Sequence, residues 1–354
     1  MPFLKNVWYC AGWSHELDDG NFIGRKLVGE HVLLFRTEAG KAVAMSNVCP
    51  HRFAPLSEGK RRGDNIACPY HGLEFDSGGQ CVRNPNGDKG SQTDLKAPRA
   101  VRLKTYPLEE RWGIMFIWMG KPEKADPALI PDFSMTAKRD DNAVIYGHHV
   151  THGHYELVAD NLLDRTHVQF LHPMLDLGSD LPDGFERRYH TEQNGDMIWD
   201  YHCELNSPKL PLLDLLWPDA PDIVENFFNL RWEAPGNMLL DSGVTEMGSN
   251  RTVGSFTPMA NMLTPQDEHS THYFWNMPRN RQIDSEEISE KLRKGIGSTF
   301  ANEDGRMVAL CAEMMGDQTD LLAMKPLLLP SDEAAVRARR IIAKLLAKEA
   351  EQEG

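Results

Sequence analysis

The stretch 48–72, VCPHRFAPLSEGKRRGDNIACPYHG, constrains this chain more than any other. It sets Cys49 and His51 against Cys68 and His71, so two thiols and two imidazoles come from two short loops. Donors of these types gather where a metal holds them, and the flanking segments must then fold as a small unit that turns the loops toward each other. Pro50 and Pro69 each follow a Cys and stiffen its loop, and Gly72 permits a tight turn behind His71.

Structural zinc sites with two Cys and two His usually take like ligands from each loop. Here each loop offers one Cys and one His. One iron can take both sulfurs and a second iron both imidazoles, the division that a Rieske [2Fe-2S] cluster requires. A Rieske cluster is the favoured reading, with structural zinc as its alternative.

Size and charge bound what surrounds that stretch. At 354 residues the chain exceeds one ordinary domain, and two are expected: 1–125 around the Cys/His loops and 126–354 beyond them. With 41% hydrophobic and 25% charged residues it reads as a soluble globular protein. No apolar run is long enough to span a bilayer, and the N-terminus lacks a basic region followed by an apolar one, so a cytoplasmic location and no membrane partner are expected. A net charge of -14 argues against nucleic acid. Arg52, Lys60, Arg61 and Arg62 form a local basic patch, either a solvated hairpin tip or a dock for an acidic electron donor. Cys10, Cys81, Cys203 and Cys311 have no spacing of their own and read as free thiols.

Residues 1–120 read as β-rich. Runs such as HVLLFR, KAVAMS, NIACPY and GIMFIWM are bounded by turn residues, with hairpin signals at Glu38-Ala39-Gly40 and Asp76-Ser77-Gly78-Gly79. The Pro-rich, charged stretch 120–141 is the expected linker. After it, AVIYGHHVTHGHYELV predicts a strand entering a helix near Tyr155, with His148, His149, His152 and His154 spread over both strand faces.

A second informative stretch follows, ELVADNLLDRTHVQFLHPM, holding Asp160, Asn161, Asp164, His167 and His172. Two His and a carboxylate are the facial set that binds mononuclear Fe(II) and leaves positions open for O2. Asp160, Asp164 and His167 would share one face of an ideal helix. His172 would not, since five residues advance about 500° and leave it about 140° from His167. A π-bulge or a helix end is therefore expected between the two His, and Pro173 agrees with a stop there. Core packing or a solvated face is the competing reading of such a His pair.

The order Cys-x-His, Cys-x2-His, then Asn-x2-Asp-x2-His-x4-His resembles the terminal oxygenases of Rieske non-heme iron systems. CPHRFAPLS, CPYHGLEFD, ADPALIPDF and DEAAVR look like the aromatic O-demethylase branch, which includes vanillate O-demethylase and dicamba monooxygenase. The resemblance spans nearly the whole chain. It implies an α+β protein: a β-rich Rieske domain, then a helix-grip catalytic domain of START or Bet v 1 type with a long C-terminal helix. It also implies a third iron ligand in a helix over 284–315, opened by Asp284 with Glu287 in a capping box; within it Asp304 is the expected ligand and Glu303 the runner-up. The residues alone favour a solvated acidic face there.

By the same resemblance, Asp164 would bridge His167 to His71 of a neighbouring subunit in a head-to-tail homotrimer. Asn161 would stand beside the iron. Electrons would come from NAD(P)H through a separate ferredoxin or ferredoxin-NAD(P)H reductase, since the chain has no GxGxxG opening a βαβ unit. O2 would be the co-substrate and a small aromatic compound the substrate, its methoxy group leaving as formaldehyde. Trp232, Met238, Leu240, Asn261, Met262, Phe274 and Ile296 are candidate pocket residues or ordinary core. The tail from Ser331, its expected cap, predicts an amphipathic helix with Val336, Ile341, Ile342, Leu345 and Leu346 inward. Two other classes stay open on residues alone: an electron-transfer protein without mononuclear iron, and a zinc-stabilised binding module.

Overall fold

A computed structural model describes residues 2–85, 101–175, 177, 181–249, 251 and 253–353. The chain divides into two compact units, Lys5–Ile130 and Pro131–Gly354 together with Met1–Leu4.

The first unit is built of short strands: β1 (Trp8–Trp13), β2 (Ile23–Leu27), β3 (Glu30–Arg36), β4 (Ala42–Ser46), β5 (Lys60–Arg62), β6 (Asn65–Ala67), β7 (Glu74–Phe75), β8 (Cys81–Arg83), β9 (Thr105–Tyr106), β10 (Leu108–Arg111) and β11 (Ile114–Trp118). They form three antiparallel sheets, ordered β1-β11-β10, β2-β3-β4-β9 and β5-β6-β7-β8. The turns follow local chemistry. Gly40 closes the β3-β4 hairpin at a φ of 82°, and Asp76 accepts hydrogen bonds from the amides of Gly78 and Gln80 to shape the β7-β8 turn. Leu33, Phe35, Met45, Ile66 and Phe75 pack around Cys49 and Cys68, so the thiols stand on a core that is already closed.

The second unit holds one eight-stranded antiparallel sheet. Its strands are β12 (Ala143–His152), β13 (Glu186–Asn194), β14 (Met197–Pro208), β15 (Ile223–Glu233), β16 (Asn237–Glu246), β17 (Gly254–Phe256), β18 (Met259–Asp267) and β19 (Ser270–Arg279), ordered β12-β19-β18-β16-β15-β14-β13 with β17 beside β16. The helices are α1 (Tyr155–Leu163), α2 (Val168–Leu171), α3 (Pro211–Leu216), α4 (Glu286–Ser298), α5 (Gly305–Met315) and α6 (Glu333–Glu353), and a π-helical segment, Thr299–Asp304, joins α4 to α5. Helices α4 and α5 pack on β12, and α1 packs on β18, α5 and α6. Both units together make the expected α+β architecture.

Some local expectations need correction. Helix α4 is capped by Ser285, whose Oγ accepts from the Ile288 amide, and Asp284 precedes the cap. Ser331 does not cap α6 directly, because a 3-10 turn over Pro330–Asp332 leads in. On α6 the buried side is made of Ala334, Ala335, Ala338, Arg339, Ile341 and Ile342, whereas Val336, Leu345 and Leu346 are half-buried. Small residues let α6 approach closely and let one arginine be buried.

Candidate metal centres

The two Cys/His loops share one backbone frame. In the first, the Cys49 amide donates to the Ala54 carbonyl at 2.9 Å and the Phe53 amide to the Cys49 carbonyl at 2.9 Å. In the second, the Cys68 amide donates to Leu73 at 2.8 Å and the Gly72 amide to Cys68 at 3.0 Å. Each loop thus spends the Cys carbonyl on the fourth residue after it. That residue is left-handed in both, Phe53 at a φ of 58° and Gly72 at 72°. Glycine adopts this without penalty, and a Cβ at Gly72 would meet the Pro85 ring at 2.9 Å.

Donors of one type come together across the loops. The rings of His51 and His71 lie 4.4 Å apart, and burial beside the Cys68 thiol pushes Cys49 up to about 11. Nδ1 of His71 is buried with no hydrogen-bond partner. A single zinc requires all four donors within bonds of about 2.0–2.3 Å. Among the described residues only His167, His172 and Asp304 bring three metal-type donors within 4.8 Å of one another, so the four loop donors do not form a one-ion site. Thiols paired at one end and imidazoles at the other fit a two-iron cluster.

In the second unit, helix α1 stops at Leu163 and Asp164 leaves it in extended conformation. The Asp164 carboxylate accepts at 2.7 Å from both the amide and the hydroxyl of Thr166, which turns the chain, and α2 then runs for four residues with His167 and His172 at its two ends. The break replaces the expected continuous face. Asp160 stays on α1, faces Arg339 of α6 and lies outside the site. Arg165 pins the loop from outside, with Nε 2.9 Å from Asp200 and Nη1 donating to the Tyr201 carbonyl.

The third donor arrives from the π-helical segment. Asp304 Oδ1 stands 3.4 Å from His167 Nε2 and 3.2 Å from His172 Nε2. Its neighbour Glu303 takes the other side of the same imidazole, at 2.7 Å from His172 Nδ1. Glu303, the expected runner-up as ligand, is a partner of His172 Nδ1, so a proton held on Nδ1 would leave Nε2 to a metal at the shared centre. Asn161 Nδ2 donates to Asp304 Oδ1 at 3.2 Å, and Asp164 lies 3.7 Å from His167 Nδ1.

The electrostatics follow. Burial opposes charge on His167, yet Asp164 and Asp304 outweigh it and push its pKa up to about 9; His172 is raised in the same way by Asp304 and Glu303. Burial also opposes the Asp304 carboxylate, but the two imidazoles and Asn161 hold it down to about 2. Two imidazoles and a carboxylate whose charges stabilise one another form a donor set that suits a divalent cation. The remaining His divide by strand face: His148 Nε2 meets His272 Nδ1 at 2.9 Å on one face, and His149 packs against Tyr273 on the other. His154 caps α1, its Nδ1 3.4 Å from the Glu156 amide.

A β-rich unit with a thiol-imidazole double loop, followed by a sheet-and-helix unit with a two-His, one-carboxylate centre, defines the class of iron-sulfur, mononuclear-iron oxygenase components. Residues 7–107 match the Rieske [2Fe-2S] domain and residues 151–348 the vanillate O-demethylase oxygenase C-terminal domain. The oxygenase component of chloroacetanilide N-alkylformylase from Rhizorhabdus wittichii is 36% identical, with 96% of this chain and 94% of that protein aligned. The oxygenase component of dicamba O-demethylase from Stenotrophomonas maltophilia is 34% identical, with 98% of each aligned. A crystal structure of dicamba monooxygenase with non-heme iron and dicamba superposes with a TM-score of 0.83 at 30% identity, covering 99% of this chain and 100% of that one. This chain belongs to the Rieske oxygenase family with a vanillate O-demethylase-type C-terminal domain.

Proposed function

We propose that the protein is the terminal oxygenase of a multicomponent monooxygenase, using O2 and electrons drawn from NAD(P)H by a separate reductase to hydroxylate a methyl group on a small aromatic compound. The reaction favoured is O-demethylation of a methoxy-aromatic. The observation that carries this reading is the convergence of His167, His172 and Asp304 in a chain that also holds the two Cys/His loops.

Cys49, Cys68, His51 and His71 would hold the [2Fe-2S] cluster, and His167, His172 and Asp304 the mononuclear Fe(II). Bound there, the cluster supplies one-electron transfer and the single iron supplies reductive use of O2. The protein's own contribution is orientation. Glu303 fixes the tautomer and plane of His172 through Nδ1, Asn161 holds one carboxylate oxygen of Asp304, and Asp164 steadies His167. In the net reaction the methyl C–H becomes C–OH, two electrons and two protons reduce the second oxygen atom to water, and the hemiacetal so formed collapses to a phenol and formaldehyde.

Asp164 sits at the end of α1 with its carboxylate part-exposed, which suits a bridge to an imidazole of a neighbouring subunit in a head-to-tail trimer. Asp164→Asn is expected to keep both iron centres loaded while turnover falls at least ~10-fold, as for partners of metal-binding His. Near-native turnover in that variant would remove the bridge from the proposal. Among the described residues no helix is long and apolar enough to cross a membrane, and a cytoplasmic location accompanies the reading.

The test of the activity is a panel of methoxylated aromatics supplied with O2, NADH and a compatible reductase, scored for formaldehyde and oxygen uptake. Stoichiometric formaldehyde is expected. Aromatic consumption without formaldehyde would move the reaction to a ring or alkyl carbon.

A further inference from the structure

Buried donors on the sheet point to the kind of molecule that the centre accepts. Trp232, Met238, Asn261 and Trp275 stand directly opposite one another across β15, β16, β18 and β19, so their side chains share one sheet face. Trp232 is 0% and Trp275 1% exposed, and the indole N–H of each has no acceptor. An indole N–H only donates, so each is a buried donor left unpaired, an arrangement that native proteins rarely keep without a ligand or water to complete it. Between them Asn261 Oδ1 accepts from the Tyr273 hydroxyl at 2.7 Å, which leaves its amide N–H groups as the free end. The row therefore offers donors.

The same face lies under the segment that carries the metal-type donors. Phe300 of the π-helical segment packs 4.9 Å from the Tyr273 ring and 5.8 Å from that of Trp275, and the Asp304 carboxylate acts electrostatically on Tyr273 and on His149. Two cations near this face are matched by acids, and the third, Arg279, keeps Nε and Nη1 buried without a partner but stands away from the row. Arg165 pairs with Asp200 and Arg187 with Glu204, each at 2.9 Å. Arg279 turns its Nη2 to the carbonyls of Gln282 and Ser285 and to Ser289, four residues and about 13 Å along the strand from Trp275. A carboxylate at the row would be stripped of water and meet only neutral groups.

We infer that the substrate is an uncharged aromatic bearing a hydrogen-bond acceptor, a carbonyl, nitro or sulfonyl oxygen, which the Trp232 and Asn261 donors receive; the Trp275 indole lies over Gly147 and takes no part. The inference rests on the oxygenase reading and sharpens its substrate class from aromatic acids to neutral compounds.

The test measures equilibrium binding by calorimetry of three probes to the metal-loaded protein: 4-methoxyacetophenone, 4-ethylanisole and 4-methoxybenzoate. The ketone should bind about tenfold more tightly than the ethyl compound, as expected for a neutral hydrogen bond made to a buried donor, and also more tightly than the benzoate. Trp232→Phe should cut the ketone-over-ethyl ratio severalfold with little change in affinity for the ethyl compound, and Trp275→Phe, whose indole lies over Gly147, should leave the ratio unchanged. Taken within one variant, that ratio is insensitive to a partial loss of folded protein. A variant that loses iron and sulfide is replaced by Asn261→Leu and judged by the same ratio. Benzoate binding as tightly as ketone, a ratio unchanged in Trp232→Phe or in its replacement, or no binding of any probe overturns the inference. Formaldehyde separates it from the reading beneath: faster release from the benzoate sinks the inference and leaves the oxygenase standing, whereas ketone preference with no formaldehyde from any probe supports the donor row and sinks the demethylase.

Discussion

The two Cys/His loops and the two-His, one-carboxylate centre both gather metal-type donors, by opposite routes. All four loop donors lie within residues 49–71, on two turns with the same hydrogen-bond frame, each fixed by its own backbone. The other centre draws two imidazoles from the ends of a single-turn helix and a carboxylate from a segment so remote that Asn161 and its partner Asp304 are 143 residues apart. A site made of local turns needs little beyond its own strands. A site assembled from distant helices depends on everything that holds those helices in register, down to the burial of Arg339 between α6 and α1.

The largest effect that would break this contrast comes from the loops. Cys68→Ser should bleach the visible absorption and abolish turnover, with iron falling from about three to about one per chain, because one lost ligand empties a two-iron cluster. A coloured Cys68→Ser protein would mean that the loops are not the cluster site. Asp304→Ala is next: iron from about three to about two, an unchanged visible spectrum, and turnover lower by at least ~100-fold, the upper range for loss of a group that tunes a metal site. Loss of colour there would show that the two centres do not load independently.

Glu303→Gln sharpens the comparison with a smaller change. The amide keeps the shape but not the charge facing His172, and affinity for Fe(II) should drop about 10- to 100-fold, read by chelator competition, with turnover recovering at saturating iron. Unchanged iron affinity would reduce Glu303 to a surface acid.

The smallest effect concerns the frame. Burial raises Glu156 from 4.5 to about 7, against the pull of Arg339. The unfolded chain releases this proton first as pH rises, so the group lowers stability between about pH 4.5 and 7 and keeps it lowered above. Glu156→Gln should therefore leave the Tm near its wild-type value at pH 5 and raise it by a few degrees at pH 8, the result of relieving about 1–3 kcal/mol. A Tm that falls at pH 8 would show that the contact with Arg339 outweighs the buried charge.

The same contrast explains what could be read in the residues alone. The loops were legible because ligand, Pro and Gly positions are set within a few residues by turn geometry, and the strands around them because short apolar runs end at Gly and Asp. The mismatch of about 140° between His167 and His172 on an ideal helix calls for a helix end, and the helix stops at His172; the other break falls at Asp164, ahead of His167, and one helical turn joins the two His. Three features were not legible. Asp160 has the spacing of a site residue, but its partner Arg339 lies 179 residues away and only packing selects it. Glu303 and Asp304 are adjacent acids whose different tasks depend on the local winding of their helix. The shared face of Trp232, Asn261 and Trp275 depends on strand register, which the turns between β15 and β19 fix and composition does not.

The winding over Thr299–Asp304 has a consequence for how such a protein could arise or decay. A π-turn closes one residue later than an α-turn, so the segment amounts to a single inserted residue. Deleting one codon there would let α4 run regularly into α5 and swing the following carboxylate about 100° away from the imidazoles. Catalysis could then vanish in one step from a fold that otherwise survives, leaving a ligand-binding shell, and the reverse insertion could turn such a shell into an enzyme.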